Sequence, residues 1–200
     1  VQELVGCGPA VLDHELVVVD TESGVPVRES QIGEILLQGP SVAQGYWNRP
    51  ELTREVFGRK VSGRDGDFLQ TGDLGFVRND ELFVTGRAKD VIIIRGRNHY
   101  PQDIEQTVEA VHPAILLGAA FGVAVEGDER LVVVHQVDRQ ARGKDWKKVI
   151  SQIRSAIVTH HELDPYAIIL IRQISLPITS SGKVQRNLCR EQYLGGQLKI

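Results

Sequence analysis

Lys183 stands in TSSGKVQR (179–186), directly after Gly182 and next to a run of hydroxyl side chains. A Gly-Lys pair in such a setting suggests a phosphate loop. That pattern, however, has a glycine five positions before the Gly of the pair and a Ser or Thr directly after the lysine. Here those positions hold Pro177 and Val184, so that loop is excluded. Two readings remain for Lys183 on its own residues: a nucleotide contact, or a solvated charge near a flexible terminus. The other candidates are Asp73 in TGDLG (71–75) and Arg87 and Lys89 in GRAKD (86–90). Taken alone, Asp73 reads as a turn aspartate bonding its own backbone, and Arg87 equally as a surface arginine or a functional contact. His160-His161-Glu162 is not the HExxH zinc pattern, because Asp164 and Pro165 follow; it reads as a helix end. Arg95 and Arg97 offer either a small anion-contact surface or an ordinary solvated face. His99 and Tyr100 read as structural positions before a helix.

Composition narrows the classes these residues can serve. A chain of 200 residues with 42% hydrophobic content supports a packed core in one large domain or two small ones. The formal net charge of -3 gives no general attraction to nucleic acid or to an anionic membrane. Cys7 and Cys189 lie near opposite ends, with no CxxC pair, so neither a disulfide framework nor a zinc site is implied. That usage fits a reducing cytoplasm. No apolar run reaches membrane-spanning length, and residues 1–20 lack the basic start and apolar centre of a signal peptide. Val1 in place of Met suggests a chain that begins partway through something longer.

The elements that must position these candidates change in period along the chain. HELVVVD (14–20) and GEILLQG (33–39) are short strands bounded by turn residues. GFVRNDELFVTG (75–86) is a hairpin about Asn79-Asp80, and a short helix starts near Pro50, beyond an exposed-looking Tyr46-Trp47 pair. Thr71 and Gly72 are expected to shape a turn holding Asp73. Residues 1–86 thus form a small β-rich unit. From there DVIIIRG (90–96) reads as a buried strand, and residues 100–111 as a helix with Pro101 in its first turn. Strands at 116–125 and 130–138, a helix over about 145–160, a strand at 166–175 and a terminal helix at 187–194 complete an α+β domain over 87–200. The boundary falls at 86–90, where a glycine followed by charged residues can absorb a backbone rotation.

GEILLQGPSVAQGYWNRPELT, TGDLG, GRAKDVIIIRGRNHYPQDIE and LPITSSGKVQR follow one another in this order. In order and spacing they resemble the C-terminal part of the adenylate-forming acyl-activating superfamily, which includes acyl-CoA synthetases, luciferases and peptide-synthetase adenylation domains. RGRNHYPQDIE is most similar to the fatty acyl-AMP ligases; many acyl-CoA synthetases have a pattern nearer GxRIxPxEIE. The resemblance covers nearly the whole chain.

It implies an α+β fold in which 1–86 closes the large AMP-binding domain and 87–200 is the mobile C-terminal domain. It also implies activation of a fatty acid with ATP and Mg2+ to acyl adenylate and pyrophosphate. The acyl group then passes to an acyl carrier protein or a polyketide synthase carrier domain. Lys183 would be the catalytic lysine, on the carboxylate and α-phosphate oxygens. Asp73 would accept from the ribose hydroxyls, with Arg87 as the second ribose contact. Lys89 would be the hinge. The family's phosphate loop and adenine segment lie upstream and have no counterpart here, so the magnesium and most of the acyl pocket belong to that part. The 200 residues alone are expected not to adenylate. An acyl-CoA synthetase using coenzyme A, or a non-catalytic module binding an adenylate or a partner, are the alternatives.

Overall fold

β-branched runs set the first sheet. The computed structural model describes residues 4–141 and 145–198 and divides the chain into two compact units, Val1–Lys89 and Asp90–Ile200. In the first unit, β1 (Glu15–Val19), β2 (Gly33–Gln38), β3 (Leu69–Arg78) and β4 (Glu81–Arg87) form an antiparallel sheet in chain order. Val17, Val19, Leu36, Val61 and Phe68 make its core. Asn79 and Asp80, both at positive φ (52° and 60°), close the expected hairpin with the left-handed two-residue turn that suits the strand twist. Helix α1 (Pro50–Phe57) carries Pro in its first turn, and Trp47 before it is exposed.

TGDLG is not a turn between elements but lies inside β3. Leu36 pairs with Gln70 and Glu34 with Leu74, so Ile35 alone stands opposite residues 71–73. This bulge is held by Thr71, whose Oγ1 donates to the Ile35 carbonyl (2.7 Å) and accepts from the Asp73 N–H (3.0 Å). Gly72 supplies the required positive φ of 72°. The local turn chemistry was legible, but the continuation of the strand through it was not.

In the second unit, DVIIIRG also differs from a single buried strand. β5 (Ile92–Ile94) turns at Arg95 and Gly96, both at positive φ (53° and 72°), and returns as β6 (Arg97–His99). Ile92 and Ile94 are buried while Ile93 is 56% exposed, the alternation of a two-faced hairpin. Helix α2 (Pro101–Val111) follows. Then β7 (Ile115–Val125) and β8 (Asp128–Val137) pair antiparallel. Helix α3 (Trp146–His161) crosses over to β9 (Ala167–Arg172), which pairs parallel to β8.

This three-stranded sheet is covered on both faces, which is why LVVV in β8 is continuously apolar rather than alternating. Leu131 and Val133 pack with Ile104 and Val108 of α2 and Val149, Ile153 and Ile157 of α3. Val132 and Val134 pack on the other face with Phe121, Leu176 and Cys189, the last from α4 (Arg186–Leu194). Burial pushes the Cys189 thiol up to about 12, with Glu105 adding to the shift. Cys7 is exposed. A thiol-specific disulfide reagent at pH 8 is therefore expected to modify one cysteine per native chain and two after denaturation. Two fast-reacting native thiols would contradict the buried placement of Cys189.

Candidate functional site

Lys183 sits on a small hairpin rather than on a loose tail. Ile178 bridges Val184, and the Gln185 N–H donates to the Pro177 carbonyl (3.0 Å). At the tip, Thr179 N–H donates to Lys183 O (2.8 Å), Gly182 N–H to Thr179 O (2.9 Å), and Lys183 N–H to Thr179 Oγ1 (3.0 Å). The Thr179 and Ser181 hydroxyls are 2.9 Å apart, so the run that suggested phosphate binding is occupied in bracing its own turn. Gly182, at φ 83°, occupies a conformation that favours glycine. Buried Leu176 and Cys189 anchor the chain on either side of the hairpin. The Lys183 side chain is exposed, and its ammonium has no hydrogen bond or ion pair among the described residues. A pinned backbone bearing an uncommitted cation is suited to meet an anionic group brought to it.

Arg186, the last letter of the same motif, behaves in the opposite way. Its Nε and Nη2 donate to the two carboxylate oxygens of Glu105 (both 2.7 Å), and its Nη1 to Asp90 Oδ2 (3.2 Å). Glu105 also accepts from the Ala120 N–H of β7 (2.9 Å). The guanidinium and both carboxylates are largely buried, and Glu105 first among its causes holds the Arg186 pKa above its ordinary value. Sequence reasoning missed this network although its members lie in two of the four quoted motifs, Asp90 and Glu105 in GRAKDVIIIRGRNHYPQDIE and Arg186 in LPITSSGKVQR. The signal was the complementary charge of Glu105 and Arg186 at the last positions of the two motifs.

Asp73 and Arg87 meet in the first unit, across the β3–β4 ladder. They are register partners, and Arg87 Nε donates to Asp73 Oδ1 at 2.8 Å. Their side chains are 37% and 52% exposed, so the pair contributes little to stability, about 0–1 kcal/mol. It leaves Asp73 Oδ2 without a side-chain hydrogen bond among the described residues. Lys89 is exposed in the 3-10 turn Ala88–Asp90 that carries the chain from one unit to the next. Asp73, Arg87 and Lys89 thus belong to the first unit, and Lys183 to the second.

Among the described residues no group of three or more His, Cys, Asp or Glu side chains is placed to hold a metal ion. No helix among them is long and apolar enough to cross a membrane.

Known proteins resemble this chain in sequence and in fold over nearly its whole length. The family model described as Disco-interacting protein 2-like, AMP domain, matches residues 89–200. The chain belongs to this family, and its sequence is similar to fatty-acid ligases of the adenylate-forming superfamily. The medium-chain-fatty-acid–[acyl-carrier-protein] ligase JamA of Moorena producens (strain JHB) is 46% identical over 202 residues, covering 99% of this chain and 34% of that protein. A structure from a study of fatty acyl-adenylate ligases of E. coli and L. pneumophila superposes with a TM-score of 0.80 at 34% identity. It covers 96% of this chain and 33% of that one. McyG A-PCP complexed with phenylalanyl-adenylate gives a TM-score of 0.81 at 31% identity, over 96% of this chain and 34% of that one. The chain spans about a third of the length of the curated relatives it matches.

Proposed function

We propose that these residues serve an enzyme that activates a fatty acid with ATP and Mg2+ and passes the acyl group to an acyl carrier protein or a polyketide synthase carrier domain. In the first step a carboxylate oxygen bonds the α-phosphorus. The bond from that phosphorus to the bridging oxygen breaks, and pyrophosphate leaves with the electron pair. Negative charge gathers on the α-phosphate oxygens as this happens, and a fixed cation there lowers the barrier. Lys183 is that cation. The observation that carries the reading is its combination of a hydrogen-bonded backbone and an uncommitted ammonium. JamA's name as an acyl-carrier-protein ligase supports the carrier as acceptor.

Asp73 accepts from the ribose hydroxyls, and Arg87 holds its carboxylate in the orientation this needs while serving as the second ribose contact. Lys89 lies at the hinge, residues 86–90, about which 87–200 moves as the mobile domain against the closing subdomain 1–86 of the AMP-binding domain. The division of the chain between Lys89 and Asp90 supports that placement. The cytoplasm is the proposed location, in keeping with two unpaired cysteines.

Asp73→Ala in the full-length protein that carries this chain tests the nucleotide site. A lost charge-assisted hydrogen bond of about 1.5–3 kcal/mol corresponds to a KM for ATP raised roughly 10- to 100-fold. The surface position of the Asp73–Arg87 pair predicts a melting temperature within about 3 °C of the parent. An unchanged KM would remove Asp73 from the site.

A further inference from the structure

We infer that Arg186 is a positioning residue that carries movement of the 86–90 linker to the Lys183 hairpin, by clamping Asp90 and Glu105 to the base of that hairpin. The inference rests on the assignment of Lys183 and the hinge above. Asp90 is the first residue of the second unit, so any rotation at the linker enters that unit there. Along the backbone, Asp90 and Lys183 are separated by nearly the whole unit. Through space the path is short: Asp90 Oδ2 to the Arg186 guanidinium (3.2 Å), then three residues back to Lys183.

The clamp is built to be stiff. Glu105 engages Arg186 through two parallel hydrogen bonds and is itself tied to β7 through Ala120 N–H. Gln185, immediately before Arg186, closes the hairpin by donating to Pro177 O. A planar fork of fixed donors sets both distance and angle, which a lysine ammonium on a flexible stem does not. Charge balance alone would be met by either residue. Geometry is met only by arginine.

Arg186→Lys, Asp90→Ala and their double variant in the full-length protein separate these roles, with steady-state rates of acyl-adenylate formation as the readout. A misplacement of about 1 Å at a reacting centre can cost on the order of 100-fold. Arg186→Lys is therefore expected to lower kcat roughly 10- to 100-fold while KM for ATP and fatty acid stays within about twofold. Asp90→Ala is expected to lower kcat in the same way, and the double variant to be no slower than Arg186→Lys alone, because both changes break one connection. Wild-type kcat in Arg186→Lys would overturn the inference, and so would a double variant whose loss is the product of the two single losses. Should Arg186→Lys fail to fold by circular dichroism, Asp90→Ala decides, and wild-type kcat there overturns it. Lys183→Ala measured alongside distinguishes the failures. A slow Lys183→Ala with normal clamp variants sinks the clamp alone, whereas a normal Lys183→Ala sinks the assignment beneath it as well.

Discussion

Lys183→Ala in the full-length protein is expected to lower the rate of acyl-adenylate formation about 100- to 1,000-fold, the loss typical of removing one preorganised group that meets developing charge. The same change should leave folding almost untouched. The side chain is exposed, and the hydrogen bonds at the hairpin tip run through the backbone and Thr179, which alanine at 183 preserves. Melting temperatures within about 2 °C are therefore expected, the usual outcome for a surface substitution with no packing to lose. The separation of a large kinetic effect from a small thermodynamic one is the signature to look for. A variant that adenylates at the parent rate would contradict the assignment.

Glu105→Ala should show the reverse balance and the largest loss of stability. Its carboxylate holds both ends of the Arg186 fork and the Ala120 N–H at the centre of the second unit. Removing it leaves a largely buried guanidinium with Asp90 alone and a buried amide unpaired, a loss of about 3–5 kcal/mol by comparison with broken buried pairs elsewhere. For a unit of this size that corresponds to a melting point lower by roughly 10 °C or more, read from the thermal unfolding of the second unit. Glu105→Gln, which keeps an acceptor oxygen but no charge, should fall between. The contrast with Asp73→Ala follows from burial: both are carboxylates paired to arginine, but Glu105 is 9% exposed and Asp73 37%. If Glu105→Ala unfolds within about 2 °C of the parent, burial has been given too much weight.

Strands and helices whose patterns were strong read correctly from the residues. The hairpin at Asn79-Asp80, the helix behind Pro101 and the amphipathic α3 each carry a local signal that tertiary packing did not override. Two segments read differently because their decisive feature is the φ angle of a few residues. Gly72 allows a bulge within β3 where a turn was expected, and Arg95-Gly96 folds one apolar run back into a hairpin. Glycine tells that a left-handed residue is permitted; it does not tell whether the strand resumes afterwards.

For the candidate site, residues that must reach out were easier to see than residues that hold. Lys183, Asp73 and Arg87 stand out as polar groups beside glycines in recognisable motifs. Arg186, Glu105 and Asp90 sit in the same motifs, but their meaning is a three-way contact between segments far apart in the chain. Sequence order hides such a contact, because no spacing rule relates a residue just before β5, one on α2 and one at the start of α4.

The most direct test of the account supplies the full-length protein with labelled fatty acid, ATP and magnesium, with and without coenzyme A, and separates acyl-AMP from acyl-CoA. The account predicts that acyl-AMP accumulates and that coenzyme A changes neither its amount nor its fate. Formation of acyl-CoA, or of neither product at any chain length tried, would contradict it.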